Sequence, residues 1–265
     1  MISVVLQISK KAFSLYLLTL FIFTSFLLGN QSAKAQVELF ENGGFETGDF
    51  TGWTVVQQPG SGGDWFVYSG TTSPFDIPIL PPPEGTYAAV TDQQDPSSQV
   101  LFQDVDVPVG TAECSVIVYY ENRAGEEGEE VRLREVDAIF VNGPNLNFDE
   151  GPNQQARIDI MDPLAPNFDI GAGVLLNIFQ TNPGDPASLG YTTLNFDLSD
   201  FAGTTVRFRA AEVDNLGVFN FSIDDVTCGI NTAQIPTLSE WGLIAMAGVL
   251  GIIGLLAIRR RKVAA

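Results

Sequence analysis

The sequence predicts an all-β protein built as a single antiparallel β-sandwich, and three observations carry that expectation. Between positions 53 and 227, short runs rich in Val, Ile, Phe, Tyr and Thr are separated by Gly, Pro, Asn and Asp, the pattern of strands closed by turns. No stretch there keeps a helical period, so parallel βαβ units are not expected. The two long apolar runs sit at the ends of the chain, outside the region that must fold.

The N-terminal run follows a basic pair, Lys10-Lys11, extends from Ala12 to Leu28, and precedes a small-x-small site at Ala33-Lys34-Ala35. This is the layout of a secretory signal peptide spanning 1–35, cleaved after Ala35. An uncleaved anchor is the alternative, since the apolar run is long for such a peptide. No cysteine lies near the site, which argues against a lipoprotein.

The segment 36–234 is then one domain, long enough to bury a substantial core. Its strands are expected at 53–58, 64–69, 86–91, 99–106, 113–121, 131–141, 155–161, 174–180, 191–197, 204–213 and 217–227. Pro81-Pro82-Pro83 reads as a stiff connector within the domain, and Gly125 to Glu130 as an exposed acidic loop.

Charge narrows the function classes. Every lysine lies outside 36–234, and all but one of the 32 acidic residues lie inside it, against six arginines (123, 132, 134, 157, 207 and 209). The domain is thus even more acidic than the net −19 of the whole chain. Such a surface repels nucleic acid and anionic lipid and attracts cations. The chain has no histidine, which excludes Ser-His-Asp and Cys-His catalysis and imidazole metal sites. A glycosidase would need two carboxylates across a cleft, and no motif singles out such a pair, so no enzyme is expected. Cys114 and Cys228 are the two cysteines. Secretion permits a disulfide between them; two free buried thiols are the alternative.

The C-terminus combines an octapeptide, Ile235-Pro236-Thr237-Leu238-Ser239-Glu240-Trp241-Gly242, an uncharged apolar span from 241 to 258, and a basic tail, Arg259 to Lys262. The span is close to the lower limit for crossing a bilayer, ~20 residues with a range of roughly 17–25. The basic cluster would remain on the cytoplasmic side. These three parts, in order, resemble the IPTL-CTERM sorting signals, relatives of the PEP-CTERM signals of Gram-negative bacteria. The resemblance implies an exosortase-type membrane protease as partner, transit through the inner membrane, and delivery to the cell surface or extracellular matrix.

A second resemblance runs through the domain. Asn42-Gly43-Gly44-Phe45-Glu46-Thr47-Gly48-Asp49-Phe50-Thr51-Gly52-Trp53 is similar to the opening strand of galactose-binding-like and carbohydrate-binding jelly rolls. Phe221-Ser222-Ile223-Asp224-Asp225-Val226 is similar to their closing strand. The segments 84–90, 101–105 and 201–208 fit the same pattern. The resemblance implies a jelly roll whose first and last strands pair, with Trp53 in the core. It further implies a structural calcium held by the side chains of Glu46 and Asp224 and the backbone oxygens of Asn42 and Gly44, since calcium takes six to eight oxygens. The alternative for both carboxylates is turn capping in water.

A glycan, for instance an exopolysaccharide, is the expected ligand. Sugars stack on flat aromatic faces flanked by polar groups, and Trp65, following Gly62-Gly63-Asp64, is the candidate rim aromatic; a half-buried strand position is its alternative. Arg207 and Arg209 alternate with Val206, Phe208 and Ala210, so both project from one sheet face, as do Arg132 and Arg134. They form a candidate cationic strip, or else ion-pair with nearby acids. An adhesive or structural envelope or biofilm protein is the competing reading.

Overall fold

The structure, a computed structural model, describes residues 38–124 and 139–231, together with position 248. The expected signal peptide, the acidic loop 125–130, most of the expected strand 131–141 with Arg132 and Arg134, and the C-terminal span lie outside the described residues. Among the described residues no helix is long and apolar enough to cross a membrane.

Ten strands form: β1 (Thr54–Gln57), β2 (Gly63–Tyr68), β3 (Ala88–Gln93), β4 (Ser97–Asp106), β5 (Thr111–Asn122), β6 (Gln154–Met161), β7 (Val174–Gln180), β8 (Ser188–Asp197), β9 (Thr205–Asp214) and β10 (Phe219–Asn231). They make two five-stranded sheets, in the orders β1-β4-β9-β6-β7 and β2-β3-β10-β5-β8. All neighbours are antiparallel. Consecutive strands change sheet everywhere except β2–β3 and β6–β7, so the core is closed by long-range pairings. The fold is an all-β sandwich of two antiparallel sheets.

Alternation sets the core. In β9, Val206, Phe208 and Ala210 face inward; in β10, Phe219, Phe221 and Ile223 do. Side chains of period two from two facing sheets interdigitate into one apolar layer. Trp53 joins that layer at 7% exposure, hemmed by Phe40, Phe45 and Phe208. Cys114 and Cys228 are joined by a disulfide and stand directly opposite each other on β5 and β10.

The central strands of the first sheet are buried on both faces. Outside β4 and β9, Leu146, Phe148, Phe168 and Ile170 pack over Val100, Ala211 and Val213. Loop segments therefore cover that face. In the second sheet, the connector 71–83 covers the outer face, where Ile79 packs with Tyr68, Val90 and Tyr119.

The expected pairing of an opening strand with the last strand is corrected. Residues 40–44 form turns, and the first strand begins only at Thr54. The turn meets β10 through one backbone bond, Val226 N–H to Gly43 O at 3.0 Å. The approach is close enough that a Cβ on Gly43 would stand 2.0 Å from the Val226 carbonyl oxygen, which is why this position carries no side chain.

Candidate ligand groove and cation site

The three expected ligand positions, Trp65, Arg207 and Arg209, are all buried. Trp65 alternates inward on β2 and is 2% exposed, edge-on to Phe221. Its ring belongs to the core and offers no face to a sugar. The expected cationic strip is also corrected. Arg207 and Arg209 do share one face of β9, but each is already engaged. Arg207 forms a bidentate pair with Asp104 at 2.6 and 2.9 Å and lies 3.9 Å over the Phe102 ring. Arg209 is fully buried against Asp159, and it donates to the Asn167 and Asp169 carbonyls at 2.6 and 2.7 Å. Arg157 grips the other side of Asp159 at 2.8 and 2.9 Å. The arginines thus pin the covering loop to the sheet. A charge removed from water must be paired, and these acids supply the partners.

The implied calcium ligands come together only in part. Gly44 lies between the two carboxylates: a Cβ built there would be 3.8 Å from both Asp224 Oδ1 and Glu46 Cγ. Glu46 accepts the backbone N–H groups of Thr86 and Tyr87 at 2.9–3.1 Å. Asp224 is 1% exposed, accepts the Asp225 N–H at 2.8 Å through Oδ1, and leaves Oδ2 buried without a partner. Burial pushes its carboxyl up to about 7, and the neighbouring Asp225 and Glu46 charges add to that. An orphaned carboxylate oxygen is an acceptor awaiting a donor or a cation. Asn42 does not fit the set. Its carbonyl oxygen already accepts Phe45 N–H at 3.0 Å and Trp53 Nε1–H at 3.1 Å, which uses both lone pairs. Among the described residues no three acidic or thiol side chains converge as a metal ligand set.

A groove of about 560 Å³ opens on the outer face of the second sheet. Pro78, Ile79 and Leu80 form one wall; Tyr119, Glu121 and Arg123 form the other. Arg123 pairs with Glu121 at 2.8 Å and donates to Asn220 Oδ1 at 2.6 Å and to the Pro78 carbonyl at 2.8 Å. Tyr119 donates to Glu121 at 2.8 Å. Burial, reinforced by that bond to Glu121, pushes the Tyr119 hydroxyl well above the ordinary phenol value, so it stays a donor. Tyr191 packs on Tyr119 with ring centroids 5.5 Å apart, and its hydroxyl donates to the Pro81 carbonyl at 2.5 Å. Arg123 and Glu121 escaped the sequence reading because an isolated Glu-x-Arg at the end of a strand carries no motif. Tyr119 and Tyr191 lie on two separate strands, and no local pattern links them.

Residues 233–261 match the IPTL-CTERM motif. No curated protein matches the chain by sequence. Several solved structures resemble it. The carbohydrate-binding module TmCBM61, solved with β-1,4-galactotriose, is 14% identical, with 74% of this chain and 99% of that one covered and a TM-score of 0.41. The K1 cleaved adhesin domain of Lys-gingipain from Porphyromonas gingivalis W83 is 10% identical, with 71% and 96% covered and a TM-score of 0.40. The C-terminal family 22 carbohydrate-binding module of Clostridium thermocellum Xyn10B is 13% identical, with 77% and 99% covered and a TM-score of 0.36. At these identities the likeness concerns the fold alone.

Proposed function

We propose that this chain is an exported protein, sorted to the cell surface or extracellular matrix by its C-terminal signal, whose β-sandwich binds glycan without catalysing a reaction. The groove beside Tyr119 carries the reading. It sets an apolar wall against a fixed Arg123–Glu121 pair, and a sugar ring needs an apolar surface for its C–H face together with directional polar partners for its hydroxyls. The pair is pre-oriented by Asn220 and the Pro78 carbonyl, so little side-chain freedom is lost on binding. The IPTL-CTERM motif supports the sorting part, with an exosortase-type protease as processing partner. An exopolysaccharide is the ligand class that fits that destination.

A structural calcium belongs to the same reading. Glu46 and Asp224, with the Gly44 backbone oxygen, would hold it. The ion would neutralise Asp224 and tie the opening turn to β10. Wild-type protein is expected to melt higher with calcium chloride than with EDTA, and Asp224→Asn to show a smaller difference; equal melting of the wild type in both would remove calcium from the account.

Glycan-array binding by the purified chain, repeated with Arg123→Met and Glu121→Gln, tests the groove. Binding to one glycan class, lost in both variants at unchanged melting temperature, is expected. Binding indifferent to both would place the site elsewhere. One observation favours a second reading, that of an adhesive matrix protein: both described tryptophans, Trp53 and Trp65, are buried in the core. Surface localisation with no affinity across the array would support it. Mass spectrometry of the mature protein would locate cleavage at Ala35 and near 235–242.

A further inference from the structure

The inward phase of β9 does not end with its apolar residues. Glu212 and Asp214 continue the face begun by Val206, Phe208 and Ala210, and they point between the sheets at 0% and 2% exposure. The layer around them is polar: Gln99 and Ser97 from β4 and Gln93 from β3 are all buried there. Gln99 Nε2 donates to Glu212 Oε2 at 2.7 Å, and Gln93 Nε2 to the Phe219 carbonyl at 2.7 Å. Three oxygens are left over. Glu212 Oε1, Asp214 Oδ1 and Gln93 Oε1 are buried and without a hydrogen-bond partner.

Among the described residues no protein cation serves them. The described segments contain no lysine or histidine. Each of their four arginines is paired with another acid, Arg123 with Glu121, Arg157 and Arg209 with Asp159, and Arg207 with Asp104. Taking a carboxylate out of water costs several kcal/mol unless it is compensated. Burial pushes both carboxyls above the ordinary range; the Asp214 charge adds to that at Glu212, while hydrogen bonding from Gln93 and the Ser97 backbone opposes it at Asp214. A single proton held between the two acids would leave the Gln93 amide oxygen an acceptor without a donor. A cavity of about 190 Å³, lined by Gln93, Asp95, Asp214 and Asn215 among others, reaches the Gln93 and Asp214 side of the cluster; Glu212 lies behind it.

We propose that Glu212, Asp214 and Gln93 form a binding site for a hard divalent cation of calcium type, loaded through this cavity and separate from the Glu46–Asp224 site. The donor set is all oxygen, which selects hard cations. It mixes carboxylate with amide oxygen, and water entering through the cavity would complete the shell, which suits calcium better than the strict octahedron of magnesium. The acidic surface raises the local cation concentration at the cavity mouth. The proposal stands independently of glycan binding.

Calcium chloride titrated into the purified full chain by isothermal calorimetry tests it, with magnesium chloride as the second probe. The wild type is expected to take up one more calcium equivalent than Glu212→Gln/Asp214→Asn, while Asp224→Asn keeps the equivalent that the double variant loses. Gln93→Met leaves both carboxylates in place and guards against misfolding of the double variant. It is expected to weaken that equivalent at least about tenfold, the cost seen even for groups outside a ligand shell. Unchanged stoichiometry and affinity in the double variant would overturn the proposal. So would an infrared band of a protonated carboxyl, dependent on Glu212 and persisting in excess calcium.

Discussion

Arg209 and Asp159 form an ion pair in which neither side chain meets solvent. Asp159 is the hub of the outer face of the first sheet, since Arg157 and Asn177 bind it as well. Its removal would leave the buried guanidinium groups of Arg157 and Arg209 without their carboxylate. Asp159→Asn is therefore expected to cost ~3–5 kcal/mol, the range for breaking a buried pair from one side. Urea denaturation of both proteins measures it, and a loss below about 1 kcal/mol would mean the pair is dispensable.

The same residue sets an acid limit. Burial alone would raise Asp159, but its bonds to Arg157 and Asn177 and the Arg209 charge outweigh that and hold it below the ordinary carboxylate value. A carboxyl lower in the folded than in the unfolded chain stabilises fully above its unfolded value, ~3.9. That contribution is lost as pH falls through the folded value. Urea midpoints between pH 6 and pH 2 should decline more steeply for the wild type than for Asp159→Asn. Asp169 and Asp197, also lowered, remain in both proteins and cancel in the comparison. Parallel declines would contradict the assignment.

Trp65→Ala should destabilise the fold by ~3–5 kcal/mol, as expected for an aromatic deleted from a packed core. Glycan affinity of the protein that remains folded should not change. A variant that kept its melting temperature and lost binding would return Trp65 to the ligand site.

Replacing Cys114 and Cys228 together by alanine should cost ~2–5 kcal/mol. Comparing thermal melts of the oxidised wild type, the reduced wild type and the double variant checks this, the last two being expected to coincide.

The strands were legible because alternation and turn residues are local properties. Every expected strand that lies within the described residues is seen as a strand; of 131–141 only 139–141 is described, and Val141 forms a single bridge to Gln154. Partners across the fold were not legible. The spacing of Arg207 and Arg209 put them on one face, yet the loop that covers them, with Asn167 and Asp169, comes from 40 residues upstream. Trp65 was misjudged because a short alternating strand has two possible phases, and the glycines before it favoured the outer one. Glu212 and Asp214 were missed although a signal existed. Extending the phase of Phe208 and Ala210 by two steps places both carboxylates inside. The pairing of Glu46 with Asp224 came from resemblance, and only the folded chain reveals that the Asn42 carbonyl is already spent on Phe45 and Trp53.

The bridge between Cys114 and Cys228 also decides how the domain answers a mechanical pull. It joins adjacent strands while closing a sequence separation of 114 residues. Stretched between its ends, the oxidised chain can pay out only what lies ahead of Cys114 and after Cys228. The looped part, about 400 Å of contour at ~3.3–3.6 Å per residue, is withheld. Two of the central strands of the sandwich, β6 and β9, lie wholly within that shielded length, so force alone cannot draw them out while the bridge stands.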